Sequence, residues 1–323
     1  MLKISNSRVK TFRSCHYAHY LKYVEGLTKK QKAGALRRGS AIHECLEAYN
    51  SGKSWRKPFK EFKADFYENT FEEERVELGD LPGMVEELME NYAYYYEQVK
   101  PEDYEYLYNE FHFELPLTDG IFIEGYIDAI VKDPSGKILT VEHKTYKRDP
   151  GRDFIIFNPQ SAIYNWALGQ LGSEPGGTIW DIIKAKKPSY PTLLKSGKLS
   201  KAKLDSTPYS VEKGIKLLGL DPKDYREFID SHNYESYFTR ELIRYNKQTT
   251  SSIIEDLINT AKEIRDRGEK LKDKNLGKDC TWCQFKDICQ AEILGLDTEY
   301  IINKVYEKGG RKNGKKEEET SID

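Results

Sequence analysis

The sequence predicts an α+β fold, and three observations carry that prediction. Apolar residues in the first hundred positions recur at three- and four-residue steps, the spacing of helix faces. From Tyr104 the period changes to two, in three runs separated by turn residues. A long amphipathic stretch over 251–271 then returns to the helical period.

The elements follow in order. Ser7 reads as the N-cap of a first helix holding Val9, Phe12, Cys15 and His19 at helical spacing. A second helix spans 35–49 and stops at Asn50, Ser51 and Gly52. A third spans 84–99, carries Tyr92, Tyr94, Tyr95 and Tyr96, and ends before Pro101. Strands follow over 106–113, 121–131 and 137–145, joined as antiparallel hairpins. Asn158 and Pro159 then open a helix, as N-cap and first-turn proline, that runs to 171. After Gly176 and Gly177 comes a strand over 178–185, and 237–245 returns to strand-like alternation. These boundaries divide the chain into a helical N-terminal region (1–100) carrying Cys15 and His43, a core (101–188), a Lys-, Ser- and Pro-rich insertion or cap (189–236), a C-terminal strand, long helix and cysteine region (237–300), and a disordered Gly/Lys/Glu tail (301–323).

Composition excludes more than it selects. At 323 residues the chain can bury a sizeable core. A net charge of -2 gives no argument for a nucleic-acid partner, so the distribution matters more. Residues 71–90 hold eight acids and one arginine, whereas 184–204 hold seven lysines and no acid. Each reads as a solvated face unless a site lies nearby. The N-terminus lacks an apolar core of signal-peptide length, and no apolar run approaches a membrane span, which predicts a soluble, cytoplasmic protein. Ser51-Gly52-Lys53-Ser54 is not a phosphate loop, because Glu47 stands where the first glycine is required.

The chemistry concentrates around one turn. If Pro134, Ser135 and Gly136 form a three-residue hairpin loop with Gly136 left-handed, Asp128 lies directly opposite Glu142. Opposed carboxylates about 5 Å apart repel, so the pair calls for a raised pKa or a cation between them. Lys144 falls on the same strand face as Glu142, where its ammonium can meet charge developing on a phosphate. A four-residue loop would turn Asp128 to the other face. Taken alone, the pattern also fits an ordinary charged strand. Glu110 shares a strand face with Tyr106 and Tyr108 and reads as solvated; it and Glu124 stand outside the catalytic set.

Five cysteines do not make a secreted disulfide framework. Cys45, on an apolar helix face, reads as a buried hydrophobe. Cys280-x2-Cys283-x5-Cys289 with Cys15 reads as a four-thiolate metal centre, and its spacing leaves zinc and iron–sulfur both open.

Six separated pieces in order resemble the PD-(D/E)XK nuclease superfamily, in particular its RecB-like branch with the AddB-type and CRISPR-adaptation exonucleases. They are Ser5-x-Ser7-x4-Phe12-x2-Cys15, Arg38-Gly39-Ser40-x2-His43, Gly125-x2-Asp128, Glu142-x-Lys144-Thr145, Gln160-x3-Tyr164 and the C-terminal cysteines. The name-giving Pro-Asp is missing, with Ile127 before Asp128. The resemblance implies a restriction-endonuclease-like, sandwich-like core with a central mixed sheet flanked by helices. It implies Mg2+ or Mn2+ on His43, Asp128, Glu142 and the His143 carbonyl, with Asp128, Glu142, Lys144 and Gln160 catalytic. It further implies a structural 4Fe-4S cluster, rather than zinc, on Cys15, Cys280, Cys283 and Cys289. Tyr164 and a basic strip of Lys184, Lys186 and Lys187 would contact DNA.

The implied activity is a metal-dependent deoxyribonuclease, a single-strand or DNA-end exonuclease of 5' to 3' polarity. It would serve recombination, repair or phage DNA processing in a bacterial or phage-infected cell, with a helicase or recombination partner supplying any unwinding. The alternative from another class is a non-catalytic DNA-end-binding scaffold working with a recombinase or helicase; a zinc-stabilised interaction module has no use for the acidic hairpin.

Overall fold

In the computed structural model, which describes residues 1–30 and 34–309, the period-two runs become the spine of the fold. The strands among the described residues are β1 (Leu2–Ile4), β2 (Leu27–Lys29), β3 (Glu105–Thr118), β4 (Ile121–Lys132), β5 (Ile138–Tyr146), β6 (Pro175–Lys184), β7 (Phe238–Ile243) and β8 (Tyr306–Lys308). The β4–β5 turn is the predicted three-residue loop: Gly136 has φ 84°, and its N–H donates to the Asp133 carbonyl at 2.8 Å. Ala129 therefore pairs with Val141.

β3 pairs along the whole of β4, while β1 and β5 meet β4 at its two ends, Ile121–Ile123 and Ala129–Lys132. β6 joins β5 in parallel and β7 joins β6 antiparallel, giving a mixed sheet ordered β1-β4-β5-β6-β7 with β3 on β4. The parallel step needs a crossover, and the helix Gln160–Gln170 supplies it. β1 was beyond the reach of periodicity, because three residues show none.

Helices cover both faces of the sheet. Val9, Phe12, Ile163, Leu168 and Ile264 pack with Ile123 and Ile127 on one side; Ile42, Leu46, Leu88 and Tyr92 pack with Ile183 and Phe238 on the other. Each such side chain contributes roughly 1.5–3 kcal/mol on burial. Among the described residues no helix is long and apolar enough to cross a membrane.

Two boundaries differ from expectation, at the first helix and at the tail, while the insertion adds contacts of its own. The first helix, Asn6–Ser14, is capped by Ser5, whose Oγ accepts the Arg8 N–H, rather than by Ser7, because β1 ends at Ile4. The insertion carries its own small core of Leu199, Val211, Ile215 and Ile229 and docks on the helix Leu81–Tyr94, where Ser210 Oγ accepts from Asn91 Nδ2 at 2.9 Å. The predicted tail begins as ordered structure: the helix Thr298–Val305 leads into β8, which pairs with β2 over a core of Leu21, Leu27, Phe285, Ile288 and Tyr306. Its remainder, 310–323, lies outside the described residues.

Candidate functional site

The β4–β5 ladder stops at Ala129 and Val141, and continuing its register sets Asp128 opposite Glu142, as the loop length predicts. The strands part there, and Asp128 Oδ2 accepts the His143 backbone N–H at 2.7 Å. From the helix Gly34–Asn50, His43 Nδ1 comes within 3.6 Å of Asp128 Oδ1. The neighbouring His43 holds the Asp128 carboxyl below its usual range although burial pushes it upward.

Glu110 completes this group. One ligand atom from each of His43, Glu110 and Asp128 lies within 4.8 Å of the others. Strand alternation hides this residue. The tight turn at Asp119 and Gly120 starts β4 with Thr118 opposite Ile121, a register that by itself would set Phe111 against Asp128. A bulge at Leu117 shifts the pairing by one residue, so that Asn109 and Phe111 flank the pair and Glu110 faces Asp128. Glu110 also takes φ 51°, a left-handed conformation rare for glutamate and the kind of strain that collects at functional sites. The register shift would have been the only signal, and no residue at 116–118 announces it beyond Pro116, which strands tolerate at bulges.

Glu142 stands outside that triad and is 1% exposed. Its Oε1 is ion-paired to Lys144 Nζ, whereas its buried Oε2 has no hydrogen-bond partner among the described residues. Burial first, and then the charge on Asp128, push its carboxyl from 4.5 to about 7 despite Lys144. Lys144 rises in turn, the Glu142 charge outweighing burial. An orphaned carboxylate oxygen, two crowded acids and one imidazole are the donor set of a hard divalent cation.

The metal-free protein carries a cost here with a definite sign. An acid whose folded pKa is raised stabilises the fold least once pH has climbed from its ordinary value through its folded one, here from 4.5 to about 7. Glu142→Gln is therefore expected to raise the melting temperature in chelator at pH 8, on the order of 5 °C, with a smaller gain at pH 5. An equal gain at both pH values would contradict this account.

Behind the acids, on the opposite face of β5, lies a buried charge network. His143 Nδ1 meets Asp181 Oδ2 at 2.7 Å, which leaves Nε2 to accept from Asn50 Nδ2 at 3.2 Å. Asp181 also accepts from Arg240 Nε at 3.1 Å and Tyr92 O–H at 2.6 Å, and Arg240 pairs with Glu102. Although burial would raise it, Arg240 and His143 hold Asp181 well below the carboxylate range. Sequence reasoning named only the His143 carbonyl; the side chain anchors the strand segment whose N–H holds Asp128.

Gln160 Nε2 donates to Tyr164 Oη at 2.7 Å, and Tyr164 donates to the Tyr126 carbonyl at 2.5 Å, which fixes β4 two residues before Asp128. Tyr164 is 6% exposed, so its ring offers no open face. Lys184 and Lys186 are paired to Asp205 at 2.6 and 2.7 Å, and Lys187 to Asp80 at 2.7 Å. The lysine strip is thus closed by two acids, Asp205 immediately beyond it and Asp80 from elsewhere in the chain.

The four-cysteine centre is not formed. Among the described residues the group close enough to hold a metal is His43, Glu110 and Asp128, and no cysteine belongs to one. All five cysteines are free thiols. Cys280 Sγ accepts the Gly277 N–H at 3.4 Å and Cys283 Sγ the Phe285 N–H at 3.4 Å, while burial pushes the Cys289 thiol up to about 11. Contrary to the expectation from sequence, Cys15, Cys280, Cys283 and Cys289 do not form a site for a 4Fe-4S cluster or zinc. What ties the chain ends together is β2–β8 pairing, His16 with Asp273 at 2.9 Å and Asn275 Nδ2 on the Ser14 carbonyl at 3.0 Å. Cys45 is fully buried, the hydrophobe it was expected to be.

A family model described as the PD-(D/E)XK nuclease superfamily matches residues 3–290. No curated protein matches the chain. Among solved structures, one titled "Crystal structure of SSO0001" is 12% identical, covers 90% of this chain and 86% of its own, and superposes with a TM-score of 0.31, too low to support any inference.

Proposed function

The chain belongs to the PD-(D/E)XK nuclease superfamily, and from that membership we propose that it hydrolyses phosphodiester bonds in DNA with a divalent cation held by His43, Glu110 and Asp128. The observation that carries this reading is the convergence of those three donors beside the buried Glu142–Lys144 pair.

When bound, the cation supplies a Lewis acid and a water made nucleophilic near neutral pH. The remaining work belongs to the chain. Glu142 holds Lys144 Nζ through one carboxylate oxygen and keeps the other for the ligand set. Lys144, kept protonated by that partner and partly exposed, meets the negative charge that grows on the phosphate. The His143 N–H fixes the rotamer of Asp128, and the Gln160–Tyr164 bonds hold the β4 backbone beside it.

The finer reading is exonucleolytic action, 5' to 3', on single strands or frayed ends. It serves recombination, repair or phage DNA processing beside a helicase or recombination partner, and it rests on the ordered resemblance to the RecB-like branch. The test is degradation of 5'- and 3'-labelled DNA with magnesium, with manganese and with chelator, alongside Asp128→Asn. Hydrolysis that needs the cation and Asp128 supports the proposal, and the label released first reports polarity. Metal-independent hydrolysis, or full activity in Asp128→Asn, would sink it; binding without cleavage would favour a DNA-end scaffold.

A further inference from the structure

Beside Lys144 a cleft of about 950 Å3 opens between the helix Asn6–Ser14, β4 and the start of the helix Gln160–Gln170. Gly125 shapes its floor: a Cβ there would meet the Phe113 ring at 2.7 Å, so only glycine lets that ring lie across the strand. Three exposed aromatic rings line the opening: Phe157 (83% exposed), Tyr126 (47%), which packs against the His112 ring at 4.7 Å between centroids, and Phe154 (46%), which meets the Tyr146 ring edge-to-face at 5.9 Å. A folded chain gains nothing by presenting such rings to water in one cleft.

The charge of the cleft is equally unspent. Lys10 has no ion-pair partner among the described residues. Arg13 is held by Thr260 Oγ1 at 2.9 Å and the Asp256 carbonyl at 2.7 Å, contacts that orient its guanidinium without neutralising it. Glu124 is the single acid lining the cleft among the described residues. The lysines of 184–187, by contrast, are each paired to an acid.

Resting on the nuclease reading above, we propose that this cleft is the track for an unpaired nucleic-acid strand. Bases stack on Phe157, Tyr126 and Phe154, and phosphates run past Lys10 and Arg13 toward Lys144. The occupant is single-stranded because open ring faces can stack only on bases whose own faces are free, which a paired duplex does not offer. Lys144 and Gln160 line the same cleft, so such a strand reaches the ammonium that Glu142 holds.

The test is fluorescence anisotropy of a labelled oligothymidylate and of a blunt duplex of equal length, in chelator so that nothing is cut. Phe157→Ala is expected to weaken single-strand binding about tenfold and duplex binding little, without loss of folding because the ring is exposed. Lys10→Ala is expected to reduce the slope of log affinity against log salt by about 0.7, the value for one phosphate contact on a single strand. Wild-type binding by both variants would overturn the proposal, as would an equal loss in Lys186→Ala. Failure of the nuclease reading is separately visible: strand binding through Phe157 with no cleavage in magnesium leaves the track standing and removes only the chemistry.

Discussion

Replacing Lys144 with alanine is expected to lower single-turnover hydrolysis about 10²- to 10³-fold, the usual loss when one positioned donor to transition-state charge is removed. Strand affinity should change far less, because a single exposed phosphate contact adds little to ground-state binding. Lys144→Arg is not expected to restore the rate: the guanidinium is planar and broad, and it would have to meet the buried Glu142 where a compact ammonium now does. Single-turnover rates at saturating enzyme, with anisotropy on the same oligonucleotide, separate the two effects. A rate loss below tenfold, or one matched by lost affinity, would remove Lys144 from the chemistry.

The second large effect concerns stability. Asp181→Ala is expected to cost about 3–5 kcal/mol, the range for removing one member of a buried charge pair. Alanine would leave Arg240, with Glu102 as its one remaining acid partner among the described residues, and His143 Nδ1 facing a void. In the wild type this contribution is complete above the ordinary carboxylate range near pH 4 and fades as pH falls below it, because the folded pKa of Asp181 is depressed. Denaturant unfolding at pH 7 measures the loss; a change under 1 kcal/mol would mean that the network carries no weight. Any surviving Asp181→Ala protein should also hydrolyse more slowly, since His143 no longer anchors the strand segment that orients Asp128.

The acidic hairpin was legible because it is local. A proline, a serine and a left-handed glycine fix the loop, the loop fixes the register, and the register puts Asp128 against Glu142 with Lys144 on the same face. Glu110 was not legible, because its place depends on a bulge some seven residues away, and alternation counts faces only where strands run without one. The lysine strip looked open because Asp205 falls just outside the lysine window and Asp80 reaches Lys187 only in the folded chain. The cysteines show the same limit from the other side: their order along the chain reads as a centre, but order does not set the ligand-to-ligand distances a metal needs, and among the described residues no cysteine belongs to a group close enough to hold one.

By itself, then, the sequence determined what short-range chemistry determines: helix and strand periods, turns, and a hairpin that must set two carboxylates and a lysine together. Apart from His43, which the ordered motifs also name, tertiary structure alone decided which distant groups join them. His43 arrives on a helix packed over the sheet, Glu110 through a shifted register, and Asp181 with Arg240 from strands that follow the crossover. Those contacts depend on how layers pack and strands slip by single residues, and a slip of one residue costs the local pattern nothing while moving every side chain to the other face.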